Sequence, residues 1–255
     1  MAEPLFTGVG VALATLFDEA GELDAKATAG HAATLVELGV RAVVVAGSTG
    51  EASALTSEER ITLLTETRKA VGSEVPVVAG TGAPSARQAA ALTREAREAG
   101  ADAVLVLCPP RNNDPRPYYE AVAEAAGDLP SLAYHFPQTA PPGIPVEALP
   151  DLPIQGMKDS SGDPERLLAE LAVFPHPLYV GASSILLMAG SLGLPGAILA
   201  VANVDPEHAI AAFAGDPAAQ QALFAAHKRV KQAFPFGLKQ AMADRFGTSP
   251  ATRLG

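Results

Sequence analysis

The chain has 255 residues, 48% of them apolar, with no tryptophan and a formal net charge of −10 at pH 7. That charge argues against nucleic acid and anionic membrane surfaces as partners, since both repel an acidic protein. No apolar run reaches the ~18 residues of a membrane-spanning helix, and the Met-Ala-Glu-Pro start lacks the basic and apolar segments of a signal peptide.

Gly8 to Leu16 reads as a first strand, and 17–21 turns the chain. Asp24 caps a helix running to Leu38, which Gly39 stops. Arg41 to Val45 is a second strand, followed by Gly47-Ser48-Thr49-Gly50-Glu51. Thr56-Ser57-Glu58-Glu59 is a capping box opening a helix that ends near Gly72. Pro76 to Gly80 is the third strand, Ser85-x-x-Gln88 opens a helix closed by Gly100, and Ala103 to Leu107 is the fourth strand. A proline-rich loop to about Pro117 leads to a helix ending at Ala126, which carries Tyr118 and Tyr119. Ser131 to His135 is the fifth strand. A short helix over Pro145 to Leu149 precedes the apolar run Leu152 to Met157, which Lys158 closes as the sixth strand. Asp163 or Pro164 starts the next helix. Leu178 to Gly181 is strand seven, Ser184 to Gly193 a helix, and Gly196 to Ala200 strand eight.

Strands that are apolar on both faces and alternate with amphipathic helices indicate a parallel sheet under helical cover. A helix–Gly–strand pattern recurs at 39–43 and 100–104, with a looser copy at 193–200. Eight such units predict a (β/α)8 TIM barrel with additional C-terminal helices (about 206–255), as one domain over 1–255. The competing doubly wound sheet would carry a GxGxxG or Walker A sequence after a strand, and none is present. Cys108 is the only cysteine, which excludes an intrachain disulfide and fits a reducing cytoplasm. The histidines at 31, 135, 176, 208 and 227 show no HxH or HExxH spacing, so a protein-built zinc site is not expected.

Chemistry in such barrels gathers at the C-terminal ends of the strands. Lys158, the only lysine between Lys69 and Lys228, falls there, as do Ser48, Thr49 and Tyr134. Each has an innocent reading: a lysine snorkelling to solvent, a tight turn, a core aromatic. Together they form a chemical set. A desolvated lysine is a nucleophile towards a ketone, a phenol can carry protons, and a Gly-rich turn can bind a carboxylate through N–H groups and hydroxyls. Cys108 reads as a buried inert thiol, and His135 as structural, because it faces away from Tyr134 in a regular strand.

In this order and spacing, GSTGE at 47–51, YHFP at 134–137 and GMKDSSGD at 156–163 resemble the dihydrodipicolinate synthase/N-acetylneuraminate lyase family. The likeness extends to VALATLFDEAGELD (11–24), GAILAVANVDPE (196–207) and FGLKQAMADRFG (236–247). It implies a class I aldolase, or a related lyase or dehydratase, on a (β/α)8 barrel. Such enzymes are commonly tetrameric and form a Schiff base with pyruvate or another 2-oxo acid without metal or cofactor. Matched position by position, Lys158 corresponds to the imine-forming lysine and Tyr134 to the proton-passing tyrosine. Ser48 and Thr49 fall where the family holds the carboxylate, with Gly47 in the same turn and Ser48 also in the proton relay. Gly181 and Ile198 match positions lining the pyruvate pocket.

Two departures are informative. The family's synthases carry a PYYN-like sequence after strand four, whose second tyrosine reaches a neighbouring subunit's site; here Pro109-Pro110-Arg111-Asn112 replaces it. They also carry an arginine at the site mouth, where this chain has approximately Thr139. Thr139 and Arg111 therefore become candidate substrate contacts, although Arg111 also reads as an ordinary solvated loop arginine. The expected activity is cleavage or formation of a carbon–carbon bond of a 2-oxo acid, giving pyruvate and an aldehyde, of the 2-keto-3-deoxy sugar acid or 4-hydroxy-2-oxoglutarate type. The alternatives are a dehydratase or a dihydrodipicolinate synthase using the same imine, and a non-catalytic 2-oxo acid-binding barrel. The expected partners are these small molecules and copies of the chain itself, as a tetramer or dimer.

Overall fold

Short β-branched and small-residue segments such as Val43-Val44-Val45 are stable only as strands buried on both faces, and every residue of that segment is buried. The computed structural model describes residues 3–254; residues 1, 2 and 255, at the ends of the expected domain, lie outside them. Among the described residues, eight parallel strands close into a barrel in sequence order. They are β1 (Gly8–Ala12), β2 (Val43–Val45), β3 (Val77–Gly80), β4 (Ala103–Leu107), β5 (Ser131–His135), β6 (Gly156–Asp159), β7 (Leu178–Val180) and β8 (Gly196–Leu199). Helices follow the strands: α1 (Ala25–Glu37), α2 (Ser57–Val71), α3 (Ala86–Glu98), α4 (Arg116–Ala126), α5 (Pro164–Val173) and α6 (Leu186–Ser191). Beyond β8 come α7 (Pro206–Phe213), α8 (Pro217–Lys231) and α9 (Phe236–Phe246). The fold is the expected (β/α)8 barrel with C-terminal helices. None of the described helices is long and apolar enough to cross a membrane.

The caps form as the sequence predicts. Asp24 accepts from the Ala27 N–H at 2.8 Å, Thr56 and Glu59 exchange both bonds of a capping box, and Ser85 accepts from Gln88. Several strands are shorter than their apolar runs. β1 stops at Ala12 because the Ala14 N–H turns to Asn203 Oδ1 and the Thr15 hydroxyl to the Gly50 carbonyl. Leu152 to Gln155 lie outside β6, so Lys158 is inside its strand, one residue before the end. The helix expected at 145–149 is a 3-10 turn over Val146–Asp151, and α6 is preceded by another over Ser183–Ile185.

The core has two layers. One fills the space between strands and helices; the other fills the barrel, with Val44, Val78, Leu105, Leu132, Tyr179 and Ile198 among its members. Phe6 stacks on Tyr179 with ring centroids 4.6 Å apart and accepts the Tyr179 hydroxyl's hydrogen bond at its carbonyl (3.0 Å), plugging the barrel from below. Tyr134 and Lys158 are register partners on β5 and β6, so strand alternation sends both side chains inward near the C-terminal end. Their successors His135 and Asp159 point to the helices. There His135 Nδ1 accepts from the Ile144 N–H at 2.9 Å.

Candidate active site

The C-terminal ends of the strands open into a cavity of about 1180 Å³, to which Ser48, Thr49, Tyr134, Thr139, Lys158 and Gly181 all contribute. Lys158 is only 4% exposed, and its Nζ lies 4.3 Å from the centre of the Tyr134 ring. No carboxylate among the described residues forms an ion pair with it. Removing an ammonium from water without an anion to replace the hydration favours the neutral amine, and burial lowers the Lys158 pKa to about 7.

Tyr134 is 5% exposed, and burial pushes its phenol up to about 12, partly offset by the hydroxyls of Ser160 and Ser48. The phenol thus stays protonated at neutral pH, as a proton donor beside the amine. Ser160 donates to Tyr134 Oη at 3.4 Å. Sequence reasoning missed Ser160, although the signal was there: two residues after Lys158 in an extended segment, it must share the lysine's face. Its N–H bonds the His135 carbonyl at 2.9 Å, which carries the ladder one residue past β6. Asp159 then fixes the following turn, accepting from the Ser161 N–H (2.7 Å) and hydroxyl (2.8 Å).

Gly181 explains itself by space. A Cβ there would lie 1.8 Å from Ser160 Oγ and 2.6 Å from Lys158 Cε, so only glycine leaves room for both side chains. Ser48 and Thr49 lie on a 3-10 turn, Ser48–Gly50, that directly follows β2. Gly47 precedes this turn as its cap and supplies the carbonyl that the Gly50 and Ala52 N–H groups bond; it does not itself line the cavity.

Besides Gly47, two expected contacts fall outside the cavity lining. Ile198 is fully buried in the barrel's interior layer, beneath the cavity, and the wall at this strand is formed by Leu199, Ala200 and Val201. Arg111 is exposed on the loop after β4 and does not reach the cavity; Pro109 and Pro110 do. A guanidinium on a free loop keeps its hydration, and what anchors this residue is its N–H, 2.7 Å from the Pro141 carbonyl. Thr139 lies exposed at the rim. Arg60 also lines the cavity, but its guanidinium is used by the carbonyls of Gly80 and Ala52. Cys108 is buried, with a thiol pushed up to about 11 by desolvation, and is therefore a poor nucleophile.

The family model described as the dihydrodipicolinate synthetase family matches residues 5–244. An uncharacterized DapA-like lyase of Halobacterium salinarum is 39% identical over 209 residues, which span 78% of this chain and 68% of that protein. The 4-hydroxy-tetrahydrodipicolinate synthase of Bacillus subtilis is 31% identical over 232 residues, 86% of this chain and 80% of that enzyme. Among solved structures, YagE from E. coli K12, a prophage protein of the dihydrodipicolinic acid synthase family in complex with pyruvate, superposes with a TM-score of 0.88. Its identity is 28%, over 98% of this chain and 92% of YagE. A buried lysine, a protonated phenol and a hydroxyl-bearing turn at the mouth of a (β/α)8 barrel agree with these likenesses. The chain belongs to the dihydrodipicolinate synthetase family and is an enzyme of its carbon–carbon lyase type.

Proposed function

We propose that this enzyme is a class I aldolase that forms a Schiff base between Lys158 and pyruvate, and so cleaves or makes a carbon–carbon bond of a 2-oxo acid. The observation that carries this reading is Lys158 itself, 4% exposed, unpaired, and brought to a pKa of about 7. Its neutral amine adds to the C2 carbonyl, and the carbinolamine loses water as Tyr134 delivers the proton. In the cleavage direction the C4 hydroxyl loses its proton, the C3–C4 bond breaks, and the electron pair moves into the iminium. This releases an aldehyde and leaves an enamine. Protonation at C3 and hydrolysis then return pyruvate and the free amine. Ser160, hydrogen-bonded to the phenol, and Ser48, on the turn that lines the same cavity, are suited to relay its proton, and the Ser48–Thr49 turn to hold the carboxylate.

The aldehyde half is neutral or polyhydroxylated, as in 2-keto-3-deoxy sugar acids or 4-hydroxy-2-oxoglutarate. The names of relatives such as the Bacillus subtilis enzyme favour a second reading, dihydrodipicolinate synthase. Against it stand Thr139, which cannot form a bidentate ion pair with a second carboxylate, and Arg111, which lies outside the cavity. Losing one charge-assisted contact weakens binding by about 1.5–3 kcal/mol. The reading also comprises one domain, a cytoplasmic location and a homo-oligomer, tetramer or dimer; exposed Phe224, Phe234 and Phe236 support self-association.

Borohydride reduction in the presence of pyruvate is the test. One reduced pyruvate on Lys158, located by mass, is expected, and labelling of another lysine with Lys158 untouched would overturn the mechanism. A panel of aldehydes offered with pyruvate then names the partner. Synthase turnover with aspartate semialdehyde at ordinary enzyme rates would replace the first reading by the second.

A further inference from the structure

The turn that carries Ser48 and Thr49 ends on a residue with no local reason for its shape. Glu51 has φ 55° and ψ 41°, a left-handed conformation that glycine and asparagine adopt easily and glutamate does not. It joins the 3-10 turn Ser48–Gly50 to a second one, Ala52–Ala54. Tertiary contacts must hold it, and they are concentrated on its side chain, which is fully buried. Oε1 lies 2.7 Å from Lys239 Nζ of α9, itself fully buried. Oε2 accepts the backbone N–H groups of Arg253 (2.8 Å) and Leu254 (2.7 Å).

The same lysine secures the other strand of this knot. Lys239 Nζ donates to the Ala251 carbonyl at 2.7 Å and lies 4.3 Å from the centre of the Phe17 ring. Arg253 adds a bidentate pair with Glu59 of α2 (2.6 and 2.9 Å) and bonds the carbonyls of Gly21 and Ala54. On the near side, the Thr15 hydroxyl donates to the Gly50 carbonyl at 2.7 Å. The turn is therefore gripped at Gly50 from the end of β1 and at Glu51 from α9 and the segment 251–254. Leu254, at the end of that segment, lines the cavity.

We propose that the buried Glu51–Lys239 pair is a positioning latch, through which α9 and residues 251–254 hold the Ser48–Thr49 turn in the shape that receives the carboxylate of the 2-oxo acid. Lys239 has two effects here. It fixes the carboxylate that keeps Glu51 left-handed, so the neighbouring N–H groups and hydroxyls stay aimed at the cavity. It also neutralises a negative charge two residues from Thr49, which would otherwise repel an anionic substrate. The inference rests on the reading of this turn as the carboxylate cradle. Lys239 and Glu51 touch no substrate: they act through the turn.

The latch predicts a loss confined to ketones that carry a carboxylate. Trapping on Lys158 by borohydride is compared for pyruvate and for hydroxyacetone, a ketone of the same length without the carboxylate. In Lys239→Met, the pyruvate concentration giving half-maximal trapping is expected to rise at least about tenfold, the scale of a lost charge-assisted contact. The hydroxyacetone dependence and the maximal trapping rate should stay within about twofold of the parent enzyme. If Lys239→Met does not fold, Glu51→Gln/Lys239→Met, which buries no unpaired charge, replaces it, with a rise of at least about threefold expected. A folded variant with unchanged pyruvate dependence overturns the latch and leaves the aldolase reading intact. Equal impairment with both ketones also overturns it, since it signals general loosening. A parent enzyme that traps neither ketone on Lys158 removes the aldolase reading and the latch together.

Discussion

Lys158 and Lys239 are the buried lysines among the described residues, and each lies 4.3 Å from the centre of an aromatic ring. What separates them is the anion. Lys239 has the Glu51 carboxylate and the Ala251 carbonyl, each at 2.7 Å, so the opposing charge favours its ammonium against the desolvation that lowers its pKa. Lys158 has a phenol face and hydroxyls around it, but no carboxylate, and desolvation alone brings it to about 7. The same residue type at similar burial is a structural cation in one place and a nucleophile in the other. Burial lowers the affinity for a proton; whether the proton leaves depends on the partner.

Methionine at each position gives the sharpest contrast. Lys158→Met should reduce turnover and imine trapping to background while keeping or raising stability, because an apolar chain fills the site without a desolvation penalty. Lys239→Met should instead cost about 3–5 kcal/mol, since it strands the Glu51 carboxylate in the interior. Urea unfolding of both variants at pH 7, with mass detection of the adduct, reads all of this. The comparison breaks if Lys158→Met is the less stable of the two.

Tyr134→Phe removes the proton donor from the reactive lysine but leaves its ring. Turnover should fall by ~10²–10⁴-fold, the range of a positioned acid–base group, with little change in unfolding free energy. Near-parental activity would transfer the proton to Ser48, Ser160 or water.

The two lysines should also differ in pH behaviour. With a pKa of about 7, Lys158 is about half neutral at pH 7, against well under ~0.1% for an ordinary lysine near ~10.4. Trapping should rise about tenfold per pH unit below about 7 and level off above it. The stability sign follows from the same shift. Between about 7 and 10.5 the unfolded chain holds a proton that folded Lys158 has released, so stability rises with pH across that window. Lys158→Met should lose this slope. A trapping profile still climbing at pH 9 would show that the amine is not depressed and would remove the basis of the contrast.

Much of this arrangement is legible in the sequence. The caps at Asp24, Thr56 and Ser85, and the apolar runs between them, are local signals, and local signals place elements. The inward facing of Tyr134 and Lys158 follows from the two-residue period of a strand. Depth is another matter. The period says that Ile198 faces inward but not that it lies in the layer beneath the cavity. It says that Ser160 shares a face with Lys158, yet only the fold brings that face against Tyr134. The Glu51–Lys239 pairing had no local mark: the stretches 47–51 and 236–247 each carry a family likeness, but nothing in either says that its charge meets the other. Their pairing depends on how α9 packs beneath the turn, a contact between distant parts of the chain. Arg111 shows the converse. Its sequence position allowed either a substrate contact or a solvated loop cation, and the loop keeps its charge in water.

Arg111 therefore supplies the weakest expected effect and a control for the whole comparison. It is a cation near the site in sequence terms, exposed in the structure, and outside the cavity that Lys158 lines. What the fold uses is its backbone: φ is 61°, and the N–H bonds the Pro141 carbonyl, an interaction any non-proline residue can make. Alanine keeps that N–H and is no more strained than arginine at positive φ. Arg111→Ala should thus change stability by less than about 0.5 kcal/mol, as surface substitutions do, and move the half-maximal pyruvate concentration by less than about twofold. Titration of borohydride trapping against pyruvate, beside a urea melt, measures both. A tenfold loss of pyruvate affinity with stability unchanged would make Arg111 a carboxylate contact after all. In that case burial would no longer be what distinguishes a working cation from an idle one in this barrel.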